Sequence, residues 1–93
     1  MEHDKQINIT ILGYIKEAIC KYIFRPLSCD KDDMFKLSEE LNILYKNNDF
    51  EYEKWYVIVK VYTKLDTNSE IDNITGFIRN RVCDIPISSY YHY

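Results

Sequence analysis

The chain has 93 residues, 46% of them hydrophobic and 29% charged, with a net charge of -3 and a mean hydropathy of -0.39. That length is about one domain, and the composition is that of a chain that folds, which excludes wholesale disorder. The longest apolar run, Trp55-Tyr56-Val57-Ile58-Val59, closes at Lys60 and falls far short of the roughly 20 residues that span a bilayer.

The start, Met1-Glu2-His3-Asp4-Lys5, is charged and lacks the basic-then-apolar order of a secretory signal. Cys20, Cys29 and Cys83 are odd in number and have no CxxC spacing, so they read as free thiols. Both features point to a soluble protein of the cytoplasm, host cytoplasm if the chain is viral. Glycine and proline occur only twice each. A sheet-rich fold of this size needs more turn glycines, so a few long elements joined by short polar loops are expected.

The first element runs from about Asp4 to Phe24. Ile7, Ile11, Ile15, Ala18, Ile19, Tyr22 and Ile23 recur at three- and four-residue steps, the period of a helix, with Asp4 as candidate N-cap. Gly13 works against it by about 1 kcal/mol relative to alanine. Ile7 to Leu12 also alternates as a strand does. Pro26 disfavours helical geometry at Arg25 and stops the element.

Asp30, Asp32 or Asp33 then caps a second helix, about 32–47, which buries Met34, Leu37, Leu41, Leu44 and Tyr45 and exposes Lys36, Glu39, Glu40 and Lys46. The third element, about 50–65, carries a helical stripe of Trp55, Ile58, Val59, Tyr62 and Leu65. Helix is the preferred reading, although its density of β-branched and aromatic residues also favours a strand. The fourth opens at Thr67, with Glu70 at capping-box spacing. Ile71, Ile74, Phe77, Ile78 and Val82 carry it to about Arg81, despite Gly76.

The pattern predicts a mainly α fold, a compact bundle of about four short helices. It forms one globular domain over 1–86, followed by an extended aromatic tail over 87–93. The alternative is an α+β fold with residues 7–12 and 55–62 as paired strands.

Catalytic and metal chemistry lack their usual residues. His3 and His92 are the only histidines, each within three residues of an end. Neither is held between a nucleophile and a carboxylate, and no pair has zinc-ligand spacing. Asp30-Lys31-Asp32-Asp33 lacks the glycine and the terminal glutamate of a calcium loop, so it reads as a helix cap. Gly13 and Gly76 stand alone, which leaves no phosphate loop. No enzyme activity, cofactor or metal is expected.

Charge and aromatics carry the functional reading. Residues 30–53 hold eight acidic groups against Lys31, Lys36 and Lys46, a local charge of -5. Nucleic acid binding is disfavoured by that sign. Tyrosine and tryptophan are favoured at interfaces, and Tyr52, Trp55 and Tyr56 abut the acidic run. The candidate partner-binding residues are therefore Asp32, Asp33, Glu39, Glu40, Asp49, Glu51, Tyr52, Glu53, Trp55 and Tyr56, on a face that docks a basic protein.

A small inhibitor fits that description, either an immunity protein against a nuclease toxin or a phage or viral blocker of a nucleic-acid enzyme. A non-catalytic subunit of a larger assembly, homo-oligomers included, is the second reading. A helix-turn-helix regulator using Arg79-Asn80-Arg81 is the third.

Overall fold

The computed structural model describes residues 2–86, with side chains from Asp4 onward. Four helices follow one another: α1 (Glu2–Tyr22), α2 (Lys31–Lys46), α3 (Tyr52–Thr63) and α4 (Asn68–Cys83). There is no strand among the described residues. The tail 87–93, with Tyr90, Tyr91, His92 and Tyr93, lies outside them, as does the side chain of His3.

The helices close into a ring, α1 against α2 and α4, and α3 against α2 and α4. Ion pairs and hydrogen bonds fix the direction of each seam. Asp4 in the first turn of α1 meets Lys46 in the last turn of α2 at 3.3 Å, and Asp33 of α2 meets Lys64 just beyond α3 at 3.0 Å. Tyr52 and Tyr56 of α3 donate in reversed order to Asp72 and Asn68 of α4, the second at 3.1 Å. Arg81 near the end of α4 pairs with Glu17 of α1 at 3.2 Å, while Arg25 beyond the end of α1 reaches Glu70 in the first turn of α4 at 2.6 Å. Each seam is antiparallel, giving an up-down-up-down bundle.

The core is built by the expected stripes. Ile7, Ile11, Ile15 and Ala18 of α1 face Leu37, Leu41 and Tyr45 of α2, Trp55 and Val59 of α3, and Ile71, Ile74, Ile78 and Val82 of α4. Full burial of each branched aliphatic side chain contributes about 1.5–3 kcal/mol, which outweighs the modest strand preference of the isoleucines and valines. Residues 7–12 and 55–62 are accordingly helical, and the α+β alternative fails. At each site the helical period places every third or fourth residue inside, whereas a strand would bury every second.

Local signals resolve less uniformly. Asp30 is the cap of α2: its Oδ1 accepts from the Asp33 amide at 2.9 Å, and Asp33 Oδ2 accepts from the Asp30 amide at 3.1 Å. Such a reciprocal box satisfies two orphan donors. Two other caps differ from expectation. α1 already begins at Glu2, so Asp4 sits inside its first turn and pairs with Lys46. Thr67 takes the N-cap position of α4, but its side chain makes no cap hydrogen bond there. Glu70 instead faces Arg25, which holds its carboxylate at 2.6 and 2.8 Å. A bidentate guanidinium is a stronger draw than one backbone amide.

Beyond Cys83 the chain is tied to the bundle by Tyr45, whose hydroxyl donates to the Pro86 carbonyl at 3.0 Å.

Candidate protein-binding surface

The acidic run 30–53 divides among several environments once folded. Asp33 is paired with Lys64, and Asp49 with Lys54 at 2.6 Å, with Glu51 3.8 Å from the same ammonium. Hydrogen bonds from Lys64 and Lys54 are the main cause that holds the Asp33 and Asp49 carboxyls below the ordinary carboxylate range. These acids are neutralised within the chain. Asp49 and Glu51 lie in the α2–α3 loop, at the opposite end of the bundle from Asp33 and Asp32.

Asp32, Glu39, Glu40 and Glu53 differ. Among the described residues none of them has an ion-pair partner. Asp32, Glu39 and Glu40 share the side of α2 turned away from Leu37 and Leu41, together with Lys36 and with Ile43, which is 47% exposed. Helical spacing places 32, 36, 39, 40 and 43 on that one side. It forms a ridge of three carboxylates and one ammonium, with an exposed isoleucine toward its C-terminal end.

Glu53 belongs to a second surface, the outer ridge of α3. Val57 and Val61 there are 55% and 61% exposed. Val57 separates two grooves. One, against α2, is lined by Leu44, Glu53, Lys54, Val57 and Ile58 and has a volume of about 380 Å³. The other, toward α4, is lined by Tyr52, Glu53, Tyr56 and Val57.

The aromatic candidates separate in the same way. Trp55 is fully buried: its ring stacks on Phe50 at 5.5 Å and its Nε1 donates to the Asp49 carbonyl at 2.9 Å. It anchors the core and is not a contact residue, because no part of the ring reaches the surface. Tyr52 and Tyr56 are half-buried over the α3–α4 seam, ring centroids 5.9 Å apart, with their hydroxyls directed to Asp72 and Asn68. The Arg79 guanidinium lies 5.9 Å over the Tyr52 ring and donates to the Phe50 carbonyl at 2.6 Å. Arg81 pairs with Glu17 and stacks over Phe77 at 4.5 Å. The two arginines required by a helix-turn-helix reading thus both have partners within the chain, Arg79 half-buried and Arg81 in an exposed ion pair.

Sequence reasoning missed the buried polar residues. Ser38, Asn42, Thr63 and Thr75 all lie in the interior. Ser38 donates to Phe35 O and Thr63 to Val59 O, whereas Asn42 Oδ1 and Thr75 Oγ1 have no partner. The signal was present, since 34, 38 and 42 follow one another at single-turn spacing on α2.

Among the described residues no three histidine, cysteine, aspartate or glutamate side chains come together as metal ligands. No described helix is long and apolar enough to cross a membrane. No protein-family model, curated protein or solved structure matches the chain.

Proposed function

We propose that this chain is a non-catalytic binding module that docks the outer ridge of α2 on a basic surface of another protein. One observation carries the reading: among the described residues Asp32, Glu39 and Glu40 have no ion-pair partner, on a ridge that carries a single ammonium, Lys36, and ends at the exposed Ile43. Asp33, Asp49 and Glu51, by contrast, are already matched by lysines of the same chain. Unmatched carboxylates around an apolar contact suit a partner with arginines or lysines around an apolar hollow, and the charge steers its approach.

The class this fits is a small inhibitor acting inside a cell, of the toxin-immunity kind or a phage or viral blocker of a nuclease or other nucleic-acid enzyme. Such targets present basic surfaces because their own substrate is a polyanion. The free thiols Cys20, Cys29 and Cys83 suit a reducing compartment.

The test is parallel affinity capture with the wild-type chain and the Glu39→Lys/Glu40→Lys variant, read by mass spectrometry at low and physiological salt. The reading expects a basic protein that is retained by the wild type, lost by the variant, and weakened by salt. Identical captures by both chains, at both salt levels, would overturn it.

A further inference from the structure

We propose that the outer ridge of α3 is the contact surface for a second copy of this chain, packed antiparallel about a two-fold axis level with Val57. This goes beyond the docking of α2 and leaves that ridge uncovered.

Charge is the first part of the case. α3 carries Glu53, Lys54 and Lys60, with Lys64 at its C-cap. Lys54 is engaged by Asp49 and Glu51, and Lys64 by Asp33. The two left over are Glu53 and Lys60, both exposed, and among the described residues neither has an ion-pair partner. They are opposite in sign and stand on either side of Val57, each about one turn away. A two-fold operation reverses the helix, so the Glu53 turn of each copy meets the Lys60–Val61 turn of the other. The same pair forms twice, as an isologous interface requires. A parallel arrangement would set Glu53 against Glu53 and Lys60 against Lys60, which like-charge repulsion disfavours.

Shape is the second part. Val57 and Val61 are the outermost apolar side chains of the helix, 55% and 61% exposed. The groove beside Val57, floored by Leu44 and Ile58, receives an apolar side chain from the opposing copy. Packing one helix's ridge into another's groove is the usual geometry for helices in contact. The valines supply apolar area at the centre, and the two charge pairs set direction and register at the rim.

One helix face per partner is less than the roughly 800 Å² a side of a standard stable interface. The dimer is therefore weak and concentration-dependent.

Sedimentation equilibrium of the full chain, from about 10 μM to about 1 mM, reads the association directly. The expected mass rises from 11.2 kDa toward twice that value. Val57→Glu, at a position 55% exposed, should abolish the rise while leaving the helical circular dichroism unchanged. Glu53→Lys and Lys60→Glu should each weaken association on the order of tenfold, since each sets like charges opposite one another twice. The double charge swap restores both pairs and should return affinity to within about twofold of wild type.

A monomer up to 1 mM would overturn the proposal. So would a dimer indifferent to Val57→Glu, or single charge variants that the double swap fails to rescue. None of these outcomes bears on capture by α2, which is scored with Glu39 and Glu40.

Discussion

The Arg25 guanidinium grips the Glu70 carboxylate with two hydrogen bonds, 2.6 and 2.8 Å, and so joins the loop after α1 to the first turn of α4 across 45 residues of sequence. Its consequence is electrostatic as well as geometric. The hydrogen bonds from Arg25 are the main cause that holds Glu70 below the ordinary carboxylate range, as those from Lys64 and Lys54 do for Asp33 and Asp49.

Acid stability follows from the sign of those shifts. A carboxyl whose folded value is depressed binds protons more readily in the unfolded chain, so its stabilisation is complete above the unfolded value and fades as pH falls. Thermal midpoints should be flat near neutrality and decline below about pH 4.5, where unfolded glutamate and aspartate begin to protonate. Glu70→Gln should lower stability at neutral pH and flatten the acid decline. Arg25→Gln added to it should cost nothing more, because the pair is already broken. Equal acid slopes in wild type and Glu70→Gln would contradict the ion-pair assignment.

The two helical glycines have open space where a Cβ would stand, with nothing within 4 Å of either. Neither has a positive φ. Gly13→Ala and Gly76→Ala should each stabilise the protein by about 0.5–1 kcal/mol, because alanine loses less backbone freedom on entering a helix. For a domain of this size that is several degrees in Tm per substitution. The two lie on different helices and should add. A fall in Tm would reveal a contact at that glycine which the bundle geometry does not contain.

Thr63 and Thr75 form a natural pair of controls. Both are fully buried, but only the Thr63 hydroxyl has an acceptor, Val59 O at 2.7 Å. Replacing threonine by the nearly isosteric valine removes a satisfied hydroxyl at 63 and an orphaned one at 75. Thr75→Val should therefore gain about 1 kcal/mol, while Thr63→Val should be neutral or lose stability. Urea unfolding of the two variants decides it, and equal effects would contradict the difference in hydrogen bonding.

The three thiols should fall into two kinetic classes. Cys20 and Cys83 are exposed, whereas Cys29 is 8% exposed. Burial, with the nearby charge of Asp33, pushes the Cys29 thiol above its ordinary range. Because the thiolate is the reactive form, an Ellman reagent at mildly alkaline pH should consume two thiols quickly and the third at least about tenfold more slowly. In denaturant all three should react together. A single fast phase in the native protein would place Cys29 at the surface.

The helical stripes were legible in the sequence because burial follows the 3.6-residue period directly. Ile7, Ile11 and Ile15, or Leu37 and Leu41, have the same spacing in the chain as in the core. Trp55 was legible by the same rule, sitting four residues before Val59, although the acidic residues around it suggested a contact role. The distribution of charge was not. Lys64 and Lys54 neutralise Asp33 and Asp49 from beyond the acidic run, and Arg25 takes Glu70 from the cap of α4. The Asp33–Lys64 and Arg25–Glu70 pairings depend on which elements are neighbours, and local charge counting contains no trace of that. Lys54, by contrast, lies only five residues from Asp49 and just past the acidic run. The candidate surface thus shrinks from ten residues to the ridge of Asp32, Glu39 and Glu40 with Ile43, which sequence reasoning did not include.

The most direct test of the account is an amide chemical-shift map of the isotope-labelled chain, titrated with the basic protein it captures. The account predicts perturbations centred on Asp32, Lys36, Glu39, Glu40 and Ile43, fading as salt is raised, with Trp55 unmoved in the core. Perturbations confined to α1 and α4, or insensitive to salt, would contradict it.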